Sequence, residues 1–222
     1  MMMPSAPSLH VANLSLAPTV IQVVNLSFSY PQTDVFSSLS FNLSAGVTLV
    51  QGGDGRGKTT LMRLLAGDLK PQSGHILFNG LTLPNPPEVE RHKVFWMDPR
   101  STEHDPIKAC DYLDHQAKRW PDFDLKGLPG LIEGLSLSEF LDKPLYMLST
   151  GSKRKVWLAA AFASNADVAL LDDPFAALDK PSVRFVTEVL RRFATQTKRA
   201  IVITGYSAPD NLPLAGLIDL GA

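Results

Sequence analysis

The chain has 222 residues, which is enough for one globular domain or for one core with a small inserted lobe. Apolar residues make up 45% and charged residues 19%, a composition that excludes a disordered or fibrous protein. The net charge is −1, and the longest apolar run, residues 156–163, is far shorter than the roughly 18 residues of a membrane span, so we expect neither a nucleic-acid partner nor a direct membrane anchor.

Residues 1–18 are rich in proline and serine and contain no Asp, Glu, Lys or Arg. They show no sustained hydrophobic period, so we predict a flexible N-terminal tail followed by one domain over residues 19–222. Because no charged segment precedes an apolar run here, residues 1–18 do not resemble a secretion signal. Together with the single cysteine, this favours a reducing, cytoplasmic compartment.

Two β-like runs follow, over residues 20–30 and 39–50, and a third lies at residues 75–78. A glycine-rich segment follows the second run. Leucines then repeat at helical spacing over residues 61–65, and a glycine and a proline close this helix. The predicted order is therefore strand, glycine-rich segment, helix and strand.

From about residue 99 to residue 150 the pattern changes to helical spacing interrupted by Gly and Pro, which predicts an inserted helical subdomain. Helices and strands then alternate again. The predicted elements are a helix at 152–163, a strand at 168–171, a helix at 181–194 and a strand at 200–204. This alternation predicts an α/β fold with a mostly parallel sheet.

The glycine-rich segment matches the phosphate-binding motif G-x-x-x-x-G-K-[ST] in the context that the motif requires, after an apolar strand and before a helix. We predict that its backbone N–H groups surround phosphate oxygens, that Lys58 reaches the β- and γ-phosphates, and that the Thr59 hydroxyl binds Mg²⁺. The alternative is a plain glycine turn, which would not need Lys-Thr at this offset. The predicted nucleotide-binding residues of this segment are Gly52, Gly53, Asp54, Gly55, Arg56, Gly57, Lys58, Thr59 and Thr60.

A second candidate group stands where the apolar residues 168–171 end in Asp172 and Asp173. The end of a strand beside a phosphate loop is where a Mg²⁺-binding carboxylate belongs, so we predict Asp172 as a metal ligand. An Asp-Asp-Pro turn after a strand is common by itself. The prediction therefore depends on the combination with the phosphate loop.

Taken together, the segments GGDGRGKTTL, LSTGSKRKV and LLDDPFAALD resemble the ATP-binding cassette ATPases, the nucleotide-binding subunits of ABC transporters. Tyr30 and the stretch LKPQSGHILFNG add to the resemblance, which extends from Thr19 to the end of the chain. These segments are most similar to those of small single-cassette types such as the haem-exporter ATPase of cytochrome c maturation. The resemblance implies a P-loop NTPase core with a mostly parallel sheet, an antiparallel β part near the N-terminus and an inserted helical subdomain.

The resemblance also implies roles for particular residues. Tyr30 matches an aromatic residue that stacks on adenine, although an ordinary strand-end tyrosine is the alternative. Ser149 and Gly151 match the signature that contacts the γ-phosphate of ATP held by the opposite subunit, with a plain helix N-cap as the alternative for Ser149. Residues 177–179 match a loop that packs across the dimer interface. The implied partners are a second ABC subunit, identical or different, and an integral membrane permease that holds the protein at the inner face of the membrane.

Three positions depart from the family pattern. Asp173 stands where a catalytic glutamate is usual, which withdraws the carboxylate by roughly 1.5 Å, and a 1 Å misplacement can cost about 100-fold in rate. Tyr206 stands where a histidine usually contacts the γ-phosphate, and it has no cation. Asp98 stands where a glutamine is usual; an ionised carboxylate can bind Mg²⁺ but cannot donate a hydrogen bond.

These three residues are the predicted catalytic candidates, and Asp98 is also a predicted metal ligand. We expect binding of Mg-ATP at a dimer interface and slow ATP hydrolysis that drives the permease. The alternative is a hydrolysis-poor nucleotide switch paired with a catalytically competent cassette.

Overall fold

The computed structural model describes residues 10–13, 18–79, 81–83, 93–196 and 198–221. Its strands are β1 (His10–Asn13), β2 (Thr19–Tyr30), β3 (Thr33–Ser44), β4 (Gly46–Gln51), β5 (Ser73–Phe78), β6 (Leu81–Leu83), β7 (Val94–Trp96), β8 (Val168–Leu171), β9 (Ala200–Gly205) and β10 (Gly216–Asp219). Its α-helices are α1 (Lys58–Leu65), α2 (Ala109–Arg119), α3 (Leu128–Gly134), α4 (Thr150–Ala163) and α5 (Lys180–Ala194). Helices α2 and α3 lie within residues 99–150, where the sequence predicts a helical insertion.

The strands form two sheets. The larger sheet has 6 strands in the order β1-β10-β4-β9-β8-β7, and its neighbours are parallel except for β1 and β10. The smaller sheet has 4 antiparallel strands in the order β3-β2-β5-β6. The predicted α/β fold, with a mostly parallel sheet and an antiparallel part near the N-terminus, is confirmed.

Three central strands of the larger sheet place the site. Strands β4, β9 and β8 are parallel neighbours, with Val50 opposite Thr204 and Leu171 opposite Ile203. Their carboxyl ends therefore lie at one edge of the sheet, which is where ligands bind in open α/β sheets. The phosphate loop follows β4, and the two aspartates follow β8.

Part of the predicted N-terminal tail belongs to the larger sheet. Residues 10–13 form β1, which pairs antiparallel with β10 from His10 opposite Asp219 to Asn13 opposite Gly216. The tail prediction is therefore wrong for these four residues, while residues 1–9 and 14–17 lie outside the described part of the chain. The edge of β10 offers unpaired backbone groups that an extended segment can satisfy without an apolar pattern. Val11 and Ala12 are exposed, so no such pattern marked the strand.

The single predicted run at residues 39–50 is two strands in different sheets. Strand β3 ends at Ser44 in the smaller sheet, and β4 begins at Gly46 in the larger one. Every residue from Leu43 to Val50 is buried, so the apolar pattern continues across the break. Periodicity reports burial and cannot show a change of sheet when burial is continuous.

Helix α4 joins the helical region to the sheet. Every residue from Lys155 to Ala163 is buried, as expected for a helix enclosed on all sides. One apolar cluster contains Tyr112 and Trp120 near α2, residues of α4, and Leu171 of β8. In the described part of the chain, no helix is both long and apolar enough to cross a membrane. Because α4 is packed into this apolar cluster, the core of the domain fixes the position of the signature segment at the start of α4.

Candidate functional site

The phosphate loop is held in shape by the packing of its last glycine. Gly57 precedes α1 with φ of 89°, in the left-handed region that side chains rarely adopt. A Cβ at this position would lie 2.6 Å from Val35 Cγ1 and 3.0 Å from a ring carbon of Phe36. Glycine is therefore required both by the backbone angle and by the close approach of the smaller sheet.

The Lys58 side chain folds back into this loop. Its Nζ donates hydrogen bonds to the carbonyl oxygens of Gly52, at 2.6 Å, and Gly53, at 2.7 Å. These bonds hold the ammonium group inside the ring of backbone that the loop forms. A positive charge is thus fixed where the motif predicts a phosphate.

Thr59 and Asp172 form the hydrogen-bonded centre of the site. The Thr59 hydroxyl donates to Asp172 Oδ2 at 2.7 Å, and the Thr204 hydroxyl donates to Asp172 Oδ1 at 2.6 Å. Thr204 also accepts a hydrogen bond from the Asp173 backbone N–H at 2.8 Å. Carboxylate and hydroxyl oxygens are the donors that Mg²⁺ prefers, so the chemistry of this group fits that ion.

Asp173 has an unusual backbone and an altered acidity. Its φ is 48°, in the left-handed region that Asp tolerates better than most residues. Desolvation raises the pKa of the Asp173 carboxyl, and the neighbouring Asp172 adds to that rise, whereas Arg154 and Lys58 oppose it. A carboxylate with a raised pKa is a stronger base, which is the chemical requirement for accepting a proton from water.

These residues line one open cleft of about 760 Å³. Tyr30 lies at its border, where its hydroxyl is 3.3 Å from Thr60 Oγ1 and its ring packs edge-on against Phe28. The ring is 40% exposed, so one face remains accessible to a planar ligand. The cleft brings together the predicted residues Tyr30, Asp54, Gly55, Arg56, Gly57, Lys58, Thr59, Thr60, Asp98, Asp172 and Asp173.

Asp98 shapes a tight turn at the cleft wall. Its Oδ1 accepts a hydrogen bond from the Arg100 backbone N–H at 2.9 Å, and its carbonyl oxygen accepts one from Ser101 at the same distance. Arg100 also lines the cleft, and its Nη2 lies 3.4 Å from Thr59 Oγ1. The sequence pattern points to Asp98 but carries no signal for Arg100, although only one residue separates them.

Tyr206 lies against the phosphate loop. Its hydroxyl donates a hydrogen bond to Asp54, and the centre of its ring is 5.0 Å from Lys58 Nζ. The bond to Asp54 raises the pKa of the Tyr206 hydroxyl, so the group remains neutral at physiological pH. Tyr206 therefore contributes an aromatic face and a hydrogen-bond donor next to the loop, but no positive charge.

Ser149 and Gly151, the signature residues with a predicted role, lie outside the lining of this cleft. The Ser149 hydroxyl accepts a hydrogen bond from the Ser152 backbone N–H at 3.1 Å and thereby caps α4. Neither Ser149 nor Gly151 lines the cleft of their own chain, although Thr150 borders it. Both an N-cap role and an accessible helix N-terminus are thus present at Ser149.

A second segment, residues 176–179, is docked on the start of α4. A Cβ at Gly151 would lie 2.2 Å from the Ala177 carbonyl oxygen, so only glycine fits this contact. Arg154 Nη1 donates to the Ala176 carbonyl oxygen at 2.5 Å. Lys155, whose side chain is buried, pairs with Asp179, and this bond holds the pKa of Asp179 well below its usual range. We did not identify Arg154 and Lys155 from the sequence, because a basic run on a helix usually faces solvent.

Comparison with known proteins decides the family. The family model described as ABC transporter matches residues 36–176. The chain belongs to this family. It is thus the ATP-binding subunit of an ABC transporter, and the matched range contains the phosphate loop, the signature and both aspartates.

Curated relatives agree with this assignment. A cytochrome c biogenesis ATP-binding export protein, CcmA, from Pseudomonas savastanoi pv. phaseolicola is 29% identical over 92% of this chain and 97% of its own length. CcmA from Paramagnetospirillum magneticum is 32% identical over 81% of this chain and 83% of its own length. The taurine import ATP-binding protein TauB of Roseobacter denitrificans is 31% identical over 88% of this chain and 75% of its own length. The similarity to single-cassette haem-exporter ATPases is confirmed.

Solved structures share the fold. An ATP-binding subunit of an ABC transporter superposes with a TM-score of 0.75 at 23% identity, over 84% of this chain and 79% of the other. CbiO1 of Clostridium perfringens, part of the ABC transporter complex CbiONQ, gives a TM-score of 0.64 at 24% identity, over 85% of this chain and 79% of the other. The cassette fold is therefore present over most of this chain.

Proposed function

We propose that this ABC subunit binds Mg-ATP at the interface between two cassettes and hydrolyses it slowly to drive a membrane permease. The observation that supports this most strongly is the position of Lys58 in the phosphate loop, beside the hydrogen-bonded group of Thr59, Asp172 and Thr204 at the edge of the sheet. It places a cation, a hydroxyl and a carboxylate beside a cleft of about 760 Å³, large enough for a nucleotide.

Thr59 and Asp172 are the residues that we assign to hold Mg²⁺. Their oxygen atoms are already 2.7 Å apart, and Thr204 orients the Asp172 carboxylate from the opposite side. When bound, Mg²⁺ would neutralise charge on the β- and γ-phosphates. Asp98 lines the same cleft, but its Oδ1 accepts a backbone hydrogen bond and is thereby committed to the turn.

The second cassette follows from the position of the signature. Ser149 and Gly151 do not line the cleft of their own chain, so a contact with ATP requires another subunit. The N-terminus of the 14-residue helix α4 supplies backbone N–H groups and a positive dipole end for an anionic phosphate. The second subunit is an identical chain or a related cassette.

Slow hydrolysis follows from two residues. Asp173 has the right charge and a raised pKa, but its arm is one methylene shorter than that of glutamate. Tyr206 brings no cation to the phosphate loop. The neutral Tyr206 also favours the second candidate function, a hydrolysis-poor switch that binds ATP and is paired with a competent cassette.

The permease partner and the location at the inner face of the cell membrane rest on the relatives. The chain spans 97% of a relative named as an ATP-binding export protein and 75% of one named as an ATP-binding import protein. Both names describe subunits of transport systems. The match to nearly the whole CcmA length supports a single-cassette subunit whose membrane part is another chain.

The test is the steady-state ATPase activity of the purified chain, alone and with its permease. Asp172→Asn, which removes the proposed Mg²⁺ ligand, is the blank. We expect turnover above this blank that the permease increases. Turnover equal to the blank in both preparations, together with ATP-induced dimers, would establish the switch. If the chain neither binds nor hydrolyses ATP, the proposed function is wrong.

A further inference from the structure

Several cations line the cleft, and their surroundings differ. Arg154 is bonded to the Ala176 carbonyl oxygen, and Arg63 lies more than one turn of α1 beyond Lys58. Arg100 instead lies beside the first turn of α1, with Nη2 at 3.4 Å from Thr59 Oγ1. Its guanidinium is therefore next to the hydroxyl that we assign to Mg²⁺.

Hydrogen bonds to the backbone fix the position of Arg100. Asp98 Oδ1 accepts the Arg100 N–H at 2.9 Å, and the Asp98 carbonyl accepts the Ser101 N–H at 2.9 Å. These two bonds close a turn that directs the Arg100 side chain along the wall of the cleft. One oxygen of the Asp98 carboxylate thus has a defined structural role in this turn.

Among the residues that the structure describes, the Arg100 guanidinium has no acidic partner. No carboxylate in the described part of the chain forms an ion pair with its guanidinium, and its one side-chain hydrogen bond is the long contact with Thr59. Asp98, the nearest acidic residue in sequence, contacts the Arg100 backbone and not its guanidinium. An uncompensated guanidinium in a cleft beside a phosphate loop is suited to bind phosphate oxygens.

We propose that Arg100 is the second phosphate-directed cation of this site and that Asp98 is its positioning residue. The proposal rests on the proposed function, because it assigns a residue to the same nucleotide. It explains how a chain with the neutral Tyr206 beside its phosphate loop stabilises the negative charge of the γ-phosphate. A guanidinium can contact two phosphate oxygens at once and remains charged at every physiological pH.

The first test compares Arg100→Gln with Arg184→Gln, which removes an exposed arginine of α5 as a matched control. We expect Arg100→Gln to lower kcat on the order of 100-fold, the lower end of the loss found when one charge-stabilising donor is removed elsewhere. Equilibrium binding of fluorescent ATP and ADP analogues with Mg²⁺ gives an independent readout. Affinity for ATP should fall about tenfold and affinity for ADP about twofold or less, because only ATP has the γ-phosphate.

Two further variants test the geometry. Arg100→Lys keeps the charge and loses the planar fork, so it should recover ATP affinity only in part. Asp98→Ala should reproduce the kcat loss of Arg100→Gln, and the double variant should lose no more than either single variant, because both remove one contact. Losses that multiply would show that Asp98 acts independently of Arg100, for example on Mg²⁺, and would overturn its positioning role.

The outcomes separate this proposal from the one it rests on. If the wild type fails to bind ATP, the proposed function itself is wrong. If the wild type binds and hydrolyses ATP while Arg100→Gln equals Arg184→Gln in kcat and in both affinities, only the role of Arg100 is wrong. Equal losses of ATP and ADP affinity would also overturn it, because they would show a general charge effect.

Discussion

The two halves of the nucleotide site are built in different ways. On one side, the phosphate loop and Asp172 stand at the ends of β4 and β8, the parallel strands on either side of β9, and are joined by a hydrogen bond between Thr59 and Asp172. On the other side, Asp98, Asp173 and Tyr206 stand on turns. Asp98 bonds to the backbone of the nearby Arg100, whereas Asp173 and Tyr206 are positioned by Thr204 and Asp54, which are distant in the sequence. In the function that we propose, the first half binds the nucleotide and the second faces the bond that breaks.

This difference shows which part of the site is free to vary. The strand-end half depends on a glycine that accepts no side chain and on carboxylate contacts at both oxygens of Asp172. The turn half tolerates a changed residue when a neighbour supplies the missing chemistry, as we propose for Arg100. We therefore expect substitutions in the turn half to change the rate of ATP turnover while ATP binding is retained.

The largest expected effect lies in the strand-end half. Lys58→Ala removes the cation that is held in the phosphate loop, and we expect affinity for ATP to fall roughly 100-fold, as expected for a charge-assisted hydrogen bond. Equilibrium binding of a fluorescent ATP analogue measures this, with the exposed Lys126→Ala as the matched control. An unchanged affinity in Lys58→Ala would contradict the assignment of the phosphate loop.

The next effect concerns assembly around the nucleotide. Ser149→Asp keeps an N-cap for α4 but places a carboxylate where we propose a triphosphate, and like charges in contact cost several kcal/mol, so ATP-induced dimerisation should be lost. Gly151→Asp is less suitable, because its Cβ would lie 2.2 Å from the Ala177 carbonyl oxygen. Light scattering with Mg-ATP measures the dimer.

Gly130→Asp is the control for added charge, since a Cβ at Gly130 meets no atom within 4 Å. It should dimerise as the wild type does. If Ser149→Asp also dimerises normally, the signature does not contact ATP of the opposite subunit.

A smaller effect, about tenfold in kcat, is expected where the turn half limits the rate. Asp173→Glu lengthens the arm at unchanged charge and should raise kcat if reach is limiting. The left-handed backbone at φ of 48° suits Asp better than Glu, so thermal unfolding should accompany the kinetics. If the wild type turns over briskly and Asp173→Glu is neutral or slower, the turn already brings Asp173 within reach.

The smallest expected effect is a change in pH dependence. The Arg154 cation lowers the pKa of Asp173, so Arg154→Gln should raise it further. Asp173 would then be protonated at a higher pH, and the acid limb of the kcat profile should move to higher pH. Arg154→Lys keeps the charge and should keep the wild-type limb. A limb that is the same in all three proteins would show that Asp173 is not the titrating base.

The sequence predicted the strand-end half because its signals are local. The spacing from Gly52 to Thr59 and the apolar run before Asp172 are each contained in a few residues. The α/β fold was predicted for the same reason. Strand β1 and the break between β3 and β4 were missed, since an exposed edge strand has no apolar pattern and a continuously buried segment shows no boundary.

The turn half could not be predicted to the same depth. The contacts of Arg100 with Thr59 and of Tyr206 with Asp54 join residues that are 41 and 152 positions apart. No periodicity encodes such pairs, because they arise only when the loops after different strands meet at one edge. Thr204, which bonds to Asp172 and to the Asp173 backbone, looks in the sequence like any polar residue at the end of a strand.

The contact between Gly151 and Ala177 has a consequence for how such cassettes can be recombined. A Cβ at Gly151 would lie only 2.2 Å from the Ala177 carbonyl oxygen, and Arg154 and Lys155 bond to residues of the same segment, so the start of α4 and residues 176–179 pack as one unit. A chimera that takes its signature from a relative and keeps this chain's residues 176–179 would mismatch that piece internally. We therefore expect a working chimera to need both segments from the same parent, although β8 separates them in the sequence.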